Sequence, residues 1–414
     1  MLAALACTPD SQGATRSQVD HAATRGDSGA RREARAVTHR RVGAEASQQQ
    51  KFGVAPANRL ALLDSLIGID STLSARRIEF EGGAFARYER DFRAADERQW
   101  KECGPRWDCI NYYDRAAIYY AWWRHTRDPK YLERANAVAL DYRTNYLEAN
   151  NYGTSFHWSM MDGVAMHYLA TGDTMSLIAV GKVGDNFAYH SPGLGGKEGM
   201  DNRIQARYLV AELLALKLRA PSTGIGGSIG IPGGNDWSKK LREGLTRILS
   251  TQEPSGAWKY GRCNGTPPFF TTHPFTVGLL LDALTRYSNL FEQDPRILPA
   301  VRRGVDYLWE HDWLRATHAF KYVEVVCPGE GGPSPAADLN NLIVNGYAWV
   351  YHETGEMEYR QRADEIFVGA VNAGAAGGDA KHFNQQYSSS IRYLGYRFAA
   401  PKRRPGGEAP GSAR

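Results

Sequence analysis

The sequence predicts an all-α chain closed into an (α/α)6 toroid, six helical hairpins arranged as an inner and an outer ring of helices. Three observations predict it. Beyond residue 57, nearly every long segment places its apolar residues at helical spacing. These segments alternate between an aromatic-rich kind with few charges and an amphipathic kind with a charged stripe. Finally, one phrase recurs at the joints: "AWWRHTRDPKYLERANAVAL" (121–140), "HYLATGDTMSLIAV" (167–180), "NLFEQDPRILPAVRRGVDYLW" (289–309) and "WVYHETGEMEYRQRADEIF" (349–367). Each is an apolar helix tail, a short polar break ending in Asp or Glu, and an amphipathic helix.

The more buried set reads, in order, "DRAAIYYAWWRHT", "DGVAMHYLA", "RIQARYLVAELLALKL", "FTVGLLLDALTRY", "LNNLIVNGYAWVYHE" and "FNQQYSSSIRYLGYRF". The exposed partners are "NRLALLDSLIGIDSTL", "DPKYLERANAVALDYRTNYL", "TMSLIAVGKVGDNFAYH", "DWSKKLREGLTRILSTQ", "DPRILPAVRRGVDYLWEH" and "EMEYRQRADEIFVGAVNA". Asp128, Asp173, Asp294 and Glu356 stand at helix starts, where a carboxylate caps free N–H groups and meets the positive end of the helix dipole. Pro129 and Pro295 fall in first turns, where proline is tolerated. A chain of repeated hairpins buries its inner faces most fully by closing into a ring. The alternative is an open solenoid. It needs capping repeats and a more regular period than 45 residues from Asp128 to Asp173 and 62 from Asp294 to Glu356.

The toroid is expected over residues 57–399, as one domain. Flanking it, residues 1–56 and 400–414 are poor in large apolar residues after the first few and are expected to be disordered tails. Their arginines inflate the net charge of +5. A solvated tail accounts for them better than a nucleic-acid partner. No run is long enough to span a bilayer. The opening "MLAALAC" resembles the end of a bacterial lipoprotein signal, with Ala4 where Leu is usual, so an exported, lipid-anchored or secreted protein is one expectation. Cys103 and Cys109 flank a loop of a size that suits a disulfide. With Cys263 and Cys327 they make an even set lacking C-x-x-C zinc spacing, and no metal or cofactor is expected.

Turns from inner to outer helix are short. The return connections are long and rich in glycine and aromatics, as in "EANNYGTSFH", "QEPSGAWKYGRCNGTPPFFTTH" and "THAFKYVEVVCPGEGGPSPAADLNN". Loops of this kind gathered on one rim are where binding sites are built. That rim also receives the amino-terminal ends of the inner helices, and their starts carry polar groups: Asn111, Tyr112, Asp114 and Arg115; Asn151, His157, Trp158 and Asp162; Asp201, Arg203 and Tyr208; His273; Asp338, Asn340 and Asn341; Lys381, His382, Asn384, Gln385 and Tyr387. Singly, each fits a cap or a satisfied core contact, and Asp201 and Asp338 read as N-caps. Six segments converging on one rim describe a site. Trp258 and Tyr260 join Tyr112 and Trp158 as faces on which sugar rings could stack. "GGSIG" (226–230) matches a nucleophile elbow, but it lacks the preceding strand and following helix which that motif requires.

This pattern resembles the (α/α)6-toroid carbohydrate-active enzymes, the six-hairpin glycosidases and the toroidal polysaccharide lyases. "LSTQEPSGAWKYG" followed by "FTVGLLLDALTRY" also resembles the terpenoid cyclase repeat, but the acidic D-x-D-D run is absent. Toroidal alginate lyases open an inner helix with Asn-Asn-His-x-x-Trp; here Asn150, Asn151, His157 and Trp158 stand at a different spacing. The resemblance implies an enzyme that cleaves an oligo- or polysaccharide, and two chemistries compete. In β-elimination from a uronate, His157 or His382 would serve as base or neutraliser and Tyr387 as acid or base. Asn151, Arg115, Arg203 or Lys381 would neutralise the carboxylate. In hydrolysis, Asp114 and Asp162 would be the paired carboxylates. The basic rim favours the lyase. A glycan-binding toroid without catalysis is the reading from another class, since fold alone does not settle function.

Overall fold

A computed structural model describes residues 52–68, 83–110, 112–190, 201–222, 234, 236–263, 269–327, 333–374 and 380–402. All lie in the compact unit that runs from Phe52 to Arg414. Of the expected tails, residues 1–51 and 403–414 fall outside the described residues, as do "GGSIG" and Asn111; residues 52–56 and 400–402, also expected in the tails, are instead bonded to the folded unit through Gly53 and Lys402.

The chain forms an (α/α)6 toroid. Its inner helices are α3 (Arg115–Thr126), α5 (Met161–Thr171), α7 (Asn202–Leu218), α9 (Pro274–Leu290) and α11 (Val344–Thr354), with the pair α13 (Ala380–Tyr387) and α14 (Ser390–Phe398) as the sixth. Each packs on the next, and α13 returns to α3 to close the ring. The outer ring is α2 (Gly83–Cys103), α4 (Pro129–Tyr142), α6 (Thr174–His190), α8 (Trp237–Ser250), α10 (Ile297–His311) and α12 (Met357–Ala373). Two short antiparallel ladders sit in the long connections, β1 (Tyr260–Cys263) with β2 (Phe269–Thr271) and β3 (Trp313–Leu314) with β4 (Ala319–Phe320). Among the described residues, no helix is long and apolar enough to cross a membrane.

One outer helix differs from expectation. The segment from residue 58 was read as the first outer helix, but α1 (Pro56–Ile67) instead lies across the end at which the inner helices terminate. Asp64 takes a two-pronged bond from Arg124 at the end of α3 (2.6 and 2.7 Å), and the N–H of Gly53 donates to the carbonyl of Arg219, the cap residue of α7 (3.1 Å). The outer position belongs to α2, whose run "RYERDFRAADERQWKE" was too charged to stand out as a ring helix. Its apolar stripe is nevertheless in register: Phe85, Tyr88, Phe92 and Ala95 are buried. Phe92 stacks on Trp122 of α3, and Phe85 on Phe367 of α12.

The repeated joint works as its chemistry dictates. Asp128, Asp173 and Asp294 each accept a backbone N–H two residues on, at 2.9, 3.1 and 2.9 Å. Asp201 does the same to the N–H of Arg203 (2.8 Å). Glu356 makes no such cap, because its longer side chain reaches Arg302 instead. Asp338 lies inside the 3-10 turn Ala337–Leu342 and does not cap it by side chain. Glycine or arginine in the left-handed region ends α3, α5 and α11, at Arg127, Gly172 and Gly355.

Between α7 and α8 a buried carboxyl, Glu212, is pushed up to about 7 by burial against the charges of Lys240 and Arg247. The folded state therefore holds that proton more tightly than the unfolded chain does. The resulting stability is fully present below the unfolded pKa near 4.5 and is lost as pH rises through about 7. Glu212→Gln should accordingly raise the melting temperature at pH 8 and leave it nearly unchanged at pH 4. Scanning calorimetry at the two pH values checks this.

Candidate active site

A cavity of about 100 Å³ opens among the inner helices, lined by Tyr113, Asp114, Asp162, Arg207, Asp282, Arg286, Arg392 and the serines 159, 388 and 389, with apolar groups between them. Its carboxylates come from helix starts or from one face of α9. Asp114 is the N-cap of α3 and accepts the N–H of Ala117 at 3.0 Å. Its other oxygen accepts the N–H of Gly163 from α5 at 2.7 Å. Gly163 is required here: a Cβ at that position would stand 2.6 Å from the Asp114 carboxylate and from the Ala116 methyl group. The glycine thus lets α5 approach closely enough to hold Asp114 by main chain.

Asp162, one residue earlier, takes both guanidinium arms of Arg286 at 2.9 and 2.5 Å. Asp282, one turn before Arg286 on α9, takes both arms of Arg392 at 2.7 and 2.9 Å and the amide of Asn345 at 2.5 Å. The two cavity carboxylates Asp114 and Asp162 consequently part company. Burial pushes Asp114 up to about 7, and the charge of Asp162 adds to that, against the N–H groups it accepts. Burial would raise Asp162 too, but the charge and hydrogen bonds of Arg286, helped by Arg392, hold it below the usual carboxylate range. Burial and the nearby Arg203 bring Arg207 down to about 10.

The remaining residues singled out in the sequence divide into three groups. Several lie near the lining residues Tyr113 and Arg207 or near one another. The imidazole of His157 is lowered by burial and by Arg203, and Arg203 pairs with Asp201 at 2.8 Å. Tyr260 stacks on His273, with ring centres 4.8 Å apart. Lys381 lies over the ring of Tyr112, and His382 stands 3.6 Å from Asp338. Trp158 is partly buried against Trp107 and Tyr146.

A second group is architectural and lies away from the cavity. Tyr387 is buried between Tyr88, Phe92 and Trp122, and its hydroxyl donates to the carbonyl of Tyr88 at 3.1 Å. Arg115 is fully buried and donates to the carbonyls of Gly104 and Arg106, inside the loop closed by a Cys103–Cys109 disulfide. Trp258 is core, its indole N–H bonded to the carbonyl of Ile248. Asn341 and Asn384 donate to the backbone carbonyls of Gln386 and of Tyr112, and Gln385 is buried beside them on α13. Tyr208 is buried on the α8 side of α7 and lines a second, smaller cavity with Glu212. Asn151 is exposed in a turn with positive φ and lines no part of the cavity. For Arg115, Asn341, Asn384 and Tyr387, a polar side chain read as rim-facing instead bonds neighbouring backbone.

The third group was missed: Arg207, Asp282, Arg286 and Arg392. Arg207, Asp282 and Arg286 lie one or more turns inside their helices and Arg392 in the first turn of α14; on α9 polar residues at spacing four ("DALTR", 282–286) break an apolar run. Such a break was the available signal. Among the described residues, no group of three or more His, Cys, Asp or Glu is placed to hold a metal ion.

The fold is an (α/α)6 toroid of the kind found in solved glycan-hydrolase structures. No family model and no curated protein matches the sequence. Among solved structures, the chain is similar to the unsaturated glucuronyl hydrolase of Bacillus sp. GL1 (12% identity, TM-score 0.52, covering 75% of this chain and 94% of that one). It is also similar to the unsaturated glucuronyl hydrolase of Streptococcus agalactiae (9%, 0.50, 79% and 95%) and to the GH76A α-1,6-mannanase of Salegentibacter sp. HEL1_6 (10%, 0.50, 75% and 98%). At these identities the likeness concerns the fold.

Removing the guanidinium from Asp162 tests how the cavity charges are held. Arg286→Met should cost about 3 kcal/mol of folding stability at pH 7, the usual penalty for stranding one member of a buried pair. Because Arg286 depresses the Asp162 pKa, the deficit should shrink as pH falls and Asp162 protonates. Urea unfolding at pH 7 and pH 3.5 reads both effects.

Proposed function

We propose that the protein is a glycan-cleaving hydrolase in which Asp114 is the general acid and Asp162 the ionised partner. The observation that carries this reading is the separation of their proton affinities. Two carboxyls from adjacent inner-helix starts share one cavity, one pushed up to about 7 and the other held down by Arg286. Environments that drive two carboxyls apart in this way assign an acid and a base. Asp114 can hand its proton to the leaving glycosidic oxygen, and the charge of Asp162 favours positive character developing at the sugar ring or water attacking it. The similar structures named above act on glycans, which supports a substrate of that class. A uronate-bearing substrate is supported by Arg207 in the cavity wall, with Arg203 and His157 beside it, since a guanidinium recognises a carboxylate well. The Cys103–Cys109 disulfide supports placing the enzyme in an oxidising compartment outside the cytoplasm.

The hydrolase is preferred to β-elimination because the tyrosine assigned as proton donor in that scheme, Tyr387, is buried in the core with its hydroxyl already engaged. A panel of uronate-containing and neutral oligosaccharides, read for new reducing ends and for ultraviolet absorbance, separates the two. Hydrolysis should give reducing ends without the absorbance of a conjugated double bond. Asp114→Asn and Asp162→Asn should each lower kcat by at least about a hundredfold. Tyr387→Phe should keep near-normal kcat and lose about 1 kcal/mol of stability, the worth of one hydrogen bond. Activity should fall as pH rises through about 7, where Asp114 loses its proton. Absorbing products that vanish with Tyr387→Phe would establish the lyase instead.

A further inference from the structure

Outside the cavity lies an aromatic shelf that the reaction as described does not use. Among the described residues, Phe52 and Tyr322 are the large aromatic side chains most open to solvent, and Tyr322 is 43% exposed. Phe52 precedes the segment bonded to Arg219, at the far end of the ring. Tyr322 stands beside the apolar cluster that includes Tyr113. Its ring stacks on Phe275 (centres 5.6 Å apart, planes at 26°) and meets His273 edge-on at 6.0 Å. Phe275 belongs to the same apolar cluster as Tyr113, which lines the cavity. The phenol of Tyr322 is also near enough to those of Tyr113 and Tyr260 to bear on their titration.

The backbone around Tyr322 is pinned on two sides. Its N–H donates to the carbonyl of Ser334 at 2.8 Å, and the N–H of Glu324 donates to the carbonyl of Thr272 at 2.9 Å. The Thr271 hydroxyl accepts the N–H of Val325 and donates to its carbonyl, both at 3.1 Å. One face of the ring is therefore fixed against Phe275 while the side chain keeps substantial exposure, one residue removed from the cavity-lining Tyr113. An aromatic ring held rigid at its backbone loses little conformational freedom when a ligand covers it. The negative face of the ring attracts the C–H groups that a pyranose presents on one side.

We infer that Tyr322 is the stacking platform for the sugar ring on the leaving side of the cleaved bond, so that the protein selects an oligosaccharide with an unbroken C–H face at that position. The inference rests on the hydrolase reading: the ring that reacts occupies the cavity, and the ring that departs lies at its mouth. The test uses the full chain and short oligosaccharides of polygalacturonate, hyaluronan, alginate and α-1,6-mannan. The best-cleaved member is compared with the glycosyl fluoride of its terminal sugar, which has no leaving ring. Tyr322→Ala should raise KM for the oligosaccharide roughly tenfold, the effect of one lost aromatic contact, and leave kcat/KM for the fluoride unchanged. Tyr322→Trp should restore the oligosaccharide KM. Equal losses on both substrates, or no loss on either, would overturn the platform while leaving the hydrolase reading intact. Titration calorimetry with the same oligosaccharides covers the remaining cases. Binding without cleavage that Tyr322→Ala weakens about tenfold would keep the platform and remove the hydrolase reading. Neither binding nor cleavage of any member would overturn both.

Discussion

The centre of the ring depends on how α9 distributes charge. Asp282 and Arg286 are four residues apart on one face of that helix, the spacing at which such a pair normally bonds to itself. Here each takes its ion-pair partner from another helix: Asp282 from α14 and Arg286 from α5. Two two-pronged bridges thus span the ring in different directions, and Asn345 of α11 joins the first. Among the described carboxylates that line the cavity, only Asp114 has no guanidinium of its own. It is held by backbone N–H groups, which fix its position without supplying a full positive charge. Burial then prevails, and it keeps its proton near neutrality. The asymmetry between the two carboxyls follows from which of them α9 supplies with an arginine.

Such an arrangement is not a general source of fold stability. Buried ion pairs are often replaced by apolar residues without loss, and sometimes with gain. An inner helix such as α9, with Leu280, Leu281, Val277 and Leu284 packed around it, has apolar contacts enough to hold the ring together. The charges fix instead the orientation of groups that face an open cavity.

Much of the fold was legible because the inner helices are unmistakably apolar and because Asp caps recur at the joints. Phe275, Val277, Leu280 and Leu281 show one kind of helix, and the stripe of Leu241, Leu245 and Ile248 the other. The α2 helix was less visible because charged residues surround its four buried apolar positions. At the site, Asp114 and Asp162 were legible as carboxylates at neighbouring inner-helix starts. The arginines were not, since Arg286 meets Asp162 across 124 residues of sequence and Arg392 meets Asp282 across 110. Local pattern also could not separate a side chain that faces the rim from one that bonds the next segment's backbone. Asn384 and Tyr387 show the point: the helix start that carries them is also the seam where the ring closes.

That seam has a bearing on how the protein comes into being. Asn384 bonds the backbone of Tyr112, and Tyr387 and Ser390 bond Tyr88, so the last inner element is clasped by the first hairpin. Ser388, Ser389 and Arg392, which line the cavity, arrive with that same element. During vectorial synthesis the five earlier hairpins can pack pairwise as they emerge, but the cavity has no complete wall until α13 and α14 have followed them. Asp282 is then left waiting for the arginine that neutralises it. Its burial, and the maturation of the whole centre, wait on the arrival of α13 and α14.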